Sequence, residues 1–377
     1  MAVLILIAAG VAIGYQEHWF GTSGSKSGAC DFGITLLGNG AQFTEPLVSQ
    51  WADAYHAQTT NQVNYPAAGS GTGFTEFSEH PPLIDFALTD DPLTGAETSA
   101  LPSTALTLPI TAGALAIIYN VPGVAGHLNL TGPLLADIYL GTITDWNNAS
   151  IQAVNPGVAL PDVTITTVHR SDAAGTTFVL TDFLTQESPS WTAGPGKGIS
   201  IMFPTQPTQT AARGNAALLS EVETISDSIG YSDLTDVLTA STPVQYAAIE
   251  NPRGEFIVPT IASSASAIAD KAAATTFPPT TGSWYNVSMV NADGPGDYPL
   301  ATFAYLFVYR AVDQGFEPSL QKAQVIVQWL DWTLTTGQTY SNSGDLYYVP
   351  LPPAVIAIDN TGIQSMTFNG ESIPSCN

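Results

Sequence analysis

Basic residues are what this sequence lacks. Its 377 residues include 8 Lys and Arg against 32 Asp and Glu, for a formal net charge of −24. Charged residues make up 11 % of the chain, against a usual share of about 25 %. The acids are ordinary in number, so the deficit lies in the bases. No basic stripe can form, which excludes nucleic-acid binding by phosphate neutralisation. An electrostatic patch for anionic lipid is excluded for the same reason. What remains is a surface of Ser, Thr, Asn and Gln that depends little on salt bridges. One hypothesis is an acidic external medium, where a lysine-rich surface would repel itself. A stability optimum at neutral or alkaline pH contradicts it.

Catalytic and metal signatures are missing too. The five histidines, His18, His56, His80, His127 and His169, form no HExxH spacing, and no GxSxG nucleophile elbow occurs. There is no EF-hand loop. Gly69-Ser-Gly-Thr-Gly73 has the wrong glycine spacing for a dinucleotide. No enzyme, metal or cofactor is expected, and no internal repeat is visible.

Two cysteines, Cys30 and Cys376, flank the body at opposite ends. A disulfide joining them is expected in an exported protein. A lipidated Cys30 is the alternative, although Ser27-Gly28-Ala29 lacks the aliphatic residue such a site wants. Residues 2–20 are apolar up to Tyr15 and end in Trp19-Phe20. They have about the length of a signal peptide, or serve as a marginal membrane anchor. A Gly/Ser linker follows to Ala29. Either fate places the body outside the cytoplasm, periplasmic or at the cell surface. Sequons at Asn129, Asn148 and Asn286 fit a glycosylated surface protein.

From Ile34 onward, short apolar runs alternate with amphipathic stretches, which predicts an α/β body of two or three domains' length. Strands are expected at 34–37, 62–65, 83–88, 163–168, 228–231 and 302–308. Helices are expected at 46–58, 72–79, 134–139, 178–184, 215–222 and 319–335. Leu106 to Tyr119 is a long apolar region that reads as strands leaving one domain for another.

Three loops share one design: strand, glycine with a small hydroxylic residue, helix. They are Gly38-Asn-Gly-Ala-Gln-Phe43, Gly69-Ser-Gly-Thr-Gly73 and Ala174-Gly175-Thr176-Thr177. A helix N-terminus offers unpaired N–H groups and a partial positive charge, so such a loop binds anions without lysine. Arg170 lies directly after a strand. Its planar guanidinium suits a tetrahedral oxyanion, with Asp172 placed to orient it. His169, as the alternating strand residue, is expected to point away.

The order of these segments, together with Asp-Phe-Ala-Leu-Thr-Asp-Asp-Pro-Leu (85–93), Asp-Ile-Tyr-Leu-Gly-Thr-Ile-Thr-Asp-Trp (137–146) and His-Arg-Ser-Asp-Ala-Ala-Gly-Thr-Thr-Phe (169–178), resembles the phosphate-binding protein of phosphate ABC importers over roughly residues 33 to 350. The resemblance implies a type II periplasmic-binding fold of two α/β lobes with the ligand cleft between them. The lobes would comprise 33–112 plus 296–377, and 113–295. Phe43 matches the backbone donor at the first helix, and Ser70 the hydroxyl donor of the second loop. Asp90 matches the carboxylate that accepts a proton from phosphate. Arg170 matches the cationic ligand with Asp172 its partner, and Gly175 and Thr176 the donors at the third helix. Two positions depart: Gln42 replaces a threonine and Ala174 replaces a serine. A hydroxyl is lost at each, and Gln42 or Thr177 is placed to compensate. The implied function is extracellular capture of inorganic phosphate for a membrane ABC permease. The alternatives are a structural or adhesive surface protein that keeps the fold, or a receptor for another oxyanion.

Overall fold

A computed structural model describes residues 30–376. The expected anchor segment, 2–20, lies outside the described residues. Among these, no helix is long and apolar enough to cross a membrane.

In chain order the principal elements begin with β1 (Thr35–Gly40), α1 (Glu45–Gln58), β2 (Gln62–Asn64), α2 (Ser70–Ser78) and β3 (Phe86–Thr89). The long strand β4 (Ala105–Asn120) follows, then α3 (Gly132–Leu140), β5 (Thr166–Arg170), α4 (Gly175–Glu187), β6 (Gln209–Ala212), α5 (Asn215–Thr224) and β7 (Ser228–Asp233). The chain continues through α6 (Leu234–Thr239), α7 (Ile261–Ala274), β8 (Ala301–Tyr309) and α8 (Leu320–Leu334). The principal strands form one sheet in the order β2-β1-β3-β8-β4-β7-β5-β6.

β4 joins two lobes. Its first half, Ala105 to Ala114, pairs antiparallel with β8, and its second half, Leu115 to Asn120, pairs antiparallel with β7. The outer pairs β1–β2, β1–β3, β5–β6 and β5–β7 are parallel, as strand–helix crossovers require. Two hydrophobic cores follow this division. The first is rich in aromatics, with Trp51, Tyr55, Trp284 and Trp329 fully buried. The second is centred on Leu115–Tyr119, Leu135, Trp146, Leu180 and Phe183.

Some expectations shift. Ala267, Ile268, Trp284, Met289 and Ala292, expected in the second lobe, pack in the first core because α7 lies against β4 and β8. The strand expected at 163–168 begins at Thr166, and Val163 is 37 % exposed. The strand expected from Leu83 begins at Phe86. Cys30 and Cys376 form a disulfide with their Cα atoms 5.3 Å apart, which leaves no thiol at Cys30 for acylation. Asn286 is exposed, whereas the Asn129 amide donates to the Val154 carbonyl at 3.0 Å and Asn148 caps the helix that follows it.

Candidate functional site

The segments that follow β1, β2, β5 and β6 each lead into a helix whose start lines one cleft between the lobes. The β1–α1 connection is a tight turn over Gln42–Thr44. The Phe43 ring is held edge-on to Tyr348 at 5.5 Å, and the Tyr348 hydroxyl donates to the Phe43 carbonyl at 2.5 Å. Gly113 stands where β4 crosses between lobes. A Cβ there would meet the Phe43 ring at 2.5 Å, so glycine lets this turn seat. α2 starts at Ser70 after Gly69, whose φ of +107° is a glycine conformation. α4 starts at Gly175; a Cβ there would meet the Asp90 carboxylate at 2.4 Å. A fourth helix, α5, also starts at the gap, at Asn215 after Gly214 with φ +85°.

These elements converge on one closed cleft lined by Gln42, Phe43, Gly69, Ser70, Asp90, Arg170, Ala174, Gly175, Thr176 and Asn215. The walls meet so closely that no water-sized space is left between them, so a ligand enters only as the lobes part. Every expected site residue except Asp172 lines the cleft. Asp172 lines a neighbouring groove with Gly71, Ser171 and Arg213, and pairs with Arg170. Arg170 Nε donates to Asp172 Oδ1 at 2.7 Å, and Nη2 donates to Oδ2 at 2.5 Å. Nη1 donates to Thr176 Oγ1 at 3.2 Å and to the Asn215 amide oxygen, and Nη2 also reaches Gln42 Oε1 at 3.3 Å. The guanidinium is 3 % exposed as a side chain, so water screens it little.

The Arg170 backbone N–H donates to the Tyr231 hydroxyl at 3.0 Å, and that hydroxyl also pairs with Thr177 at 2.7 Å. Thr177 is therefore engaged behind the cavity and does not stand in for the missing serine at Ala174. His169 stacks on Phe203 with ring centres 4.4 Å apart, on the side away from the site. Ser70 Oγ accepts from Gly175 N at 3.2 Å, a hydrogen bond that crosses between lobes.

The carboxylates sort by partner. Burial raises the Asp172 carboxyl, but the hydrogen bond and charge of Arg170 outweigh it and hold Asp172 below the usual range. Asp90 is buried with Oδ1 unpartnered. Burial, then the neighbouring Asp91, push it well above the usual carboxylate range, against the pull of Arg170. Asp91 is pushed up to about 7 by burial, while its Thr89 hydrogen bond works the other way.

Asn215, Asp233 and Asp236 were not expected at the site. The Asn215 side chain donates to Asp233, and to Asp236 Oδ2 at 3.0 Å, while its oxygen accepts from Arg170. Gly214-Asn215 ahead of an amphipathic run was the available signal. It lacks the hydroxyl that marks the Ser70 and Thr176 loops. Among the described residues no cluster suited to a metal ion occurs.

An arginine, an unpartnered buried carboxyl and several helix N-termini thus line one small cleft between two lobes. A family model described as a PBP superfamily domain matches residues 22–335. The phosphate-binding protein PstS of Xylella fastidiosa (strain Temecula1) is 35 % identical over 327 residues, covering 86 % of this chain and 83 % of the relative. That of Methanocaldococcus jannaschii is 32 % identical over 336 residues, covering 86 % and 84 %. A solved high-affinity periplasmic phosphate-binding protein, PfluDING with bound phosphate, superposes with a TM-score of 0.66 at 19 % identity, covering 90 % of this chain and 99 % of that one. The chain belongs to the PstS family of phosphate-binding proteins, within the periplasmic-binding-protein superfamily, and has its two-lobed type II fold.

Proposed function

We propose that this protein is a solute receptor, not an enzyme, that captures inorganic phosphate outside the cytoplasm and passes it to a membrane ABC permease. The observation that carries this reading is Asp90, a buried carboxyl with an unpartnered oxygen on the same cavity as Arg170. Two fixed acceptors facing each other would repel. A phosphate that still carries a proton shares it with Asp90, while its other oxygens take donors from Arg170, Ser70, Thr176 and the N–H groups of Phe43 and Gly175. Sulfate brings no such proton near neutral pH, so Asp90 would have to take one from solvent or face an oxygen as a carboxylate.

Contacts from both lobes, Phe43, Ser70 and Asp90 on one and Arg170, Gly175 and Thr176 on the other, tie binding to hinge closure. The net charge of −24 is largely screened beyond ~8 Å at physiological salt, so local dipoles and Arg170 set affinity. Equilibrium dialysis with radiolabelled phosphate tests the reading, with sulfate and arsenate as competitors. Saturable binding below millimolar, resisted by sulfate, is expected. Absence of saturable binding favours a structural surface protein; equal competition by sulfate removes the proton-sharing argument.

A further inference from the structure

Gln42 belongs to the first lobe, yet its side chain bonds the second. Its Oε1 accepts from Asn215 N at 2.8 Å and from Arg170 Nη2 at 3.3 Å. The receiving surface is shaped for it. Gly214 has φ +85°, and a Cβ there would stand 3.0 Å and 3.1 Å from the two polar atoms of the Gln42 amide. The other donors of Arg170 are also taken. A guanidinium has five N–H groups, and here they meet two oxygens of Asp172 and one each of Thr176, Asn215 and Gln42. Asp172, Thr176 and Asn215 are all of the second lobe. Gln42 is the one partner that reaches the guanidinium from across the cleft.

A neutral amide oxygen thus sits on a buried cation and on the first N–H of α5, both on the wall of the cavity. These are the kinds of donor an oxyanion oxygen takes. We propose that Gln42 is a ligand-mimicking latch: its amide oxygen stands in for an anion oxygen, holds the lobes together without ligand, and is displaced when phosphate takes the Arg170 and Asn215 donors. The proposal rests on the reading of the cavity as a phosphate site. Affinity is then reduced by the fraction of molecules that are latched. Phosphate prevails at sufficient concentration because its charged oxygens meet the Arg170 cation with opposite charge, whereas the Gln42 amide is neutral.

Gln42→Ala removes the latch and introduces no new donor. Phosphate affinity by calorimetry and the radius of gyration of the phosphate-free protein by X-ray scattering are compared with wild type. Q42A is expected to bind phosphate about tenfold more tightly. Phosphate-free Q42A is expected to be more expanded than wild type and to contract on adding phosphate, whereas wild type changes little. Equal or weaker affinity in Q42A, with unchanged dimensions, overturns the latch and makes Gln42 an ordinary ligand or a spectator. If alanine prevents folding, Gln42→Asn is one methylene short of the same contacts and carries the same expectation. Should neither protein bind phosphate, the functional reading fails, and the phosphate-free dimensions alone decide the latch.

Discussion

Asp172, on the second lobe, gives both of its oxygens to Arg170 and is held ionised by it. Asp90, on the first lobe, is buried on the same cavity with an unpartnered oxygen, and burial favours its protonated form. One wall of the cleft therefore presents a compensated cation and the other a carboxyl able to trade a proton. The difference follows from partners, not residue type: a buried acid stays charged only where a cation or donors repay its desolvation. A ligand that satisfies both walls must be anionic toward Arg170 and hydrogen-bond competent toward Asp90.

Four substitutions press on this contrast. Arg170→Ala removes the cationic wall and leaves Asp172 and Asn215 without their partner. Phosphate affinity should fall on the order of a hundredfold or more, with loss of closure by scattering; unchanged affinity breaks the assignment. Asp90→Asn makes the opposite wall unable to accept a proton. Phosphate should weaken about tenfold while sulfate gains, so that the two compete within a few-fold in calorimetry.

Asp91→Asn probes the same contrast through pH. The folded-state value of Asp91 is about 7, against an unfolded value near 3.9. Between those values the folded chain holds more protons, so this group costs stability progressively as pH rises from about 4 to about 7. Asp172 works the other way: its contribution is present above the unfolded value and is lost as pH falls through its lowered folded value. In melting curves against pH, the variant should lose a part of the decline between pH 4 and 7 and keep the acid limb, the rest of the decline coming from Asp90, Asp233, Asp236 and Asp359, which burial also raises. Persistence of the full decline would place its origin elsewhere. Ser70→Ala removes the hydroxyl donor that the proposed site offers to a phosphate oxygen. At about 1 kcal/mol for one hydrogen bond, affinity should fall roughly fivefold.

Much of this was legible in the chain itself. The glycine-bearing loops marked three helix starts because the physical requirement, close backbone approach and free N–H groups, dictates composition locally. Arg170 stood out because arginine is rare here and follows a strand. The Asn215 contact was not legible. An asparagine at a helix start has many uses, and only the tertiary approach of α5 to Gln42 and Arg170 gives it this one. Asp233 and Asp236 escaped for a similar reason: β7 runs on to Asp233, beyond the apolar stretch that marked the strand. The return of α7 to the first core was hidden because its buried stripe is built of Ser264, Ala267 and Ile268, mostly small residues whose burial is decided by the neighbouring strands. Val163 alternates with Ile165 as a strand residue would, yet the ladder starts only at Thr166, where β7 supplies a partner.

The most direct measurement is a crystal structure of the protein grown at saturating phosphate. It should show one tetrahedral anion between the lobes, an oxygen within hydrogen-bond distance of Asp90 and others on Arg170, Ser70 and Gly175 N. An anion bound elsewhere, or an empty cleft at that concentration, would contradict the role given to the cavity.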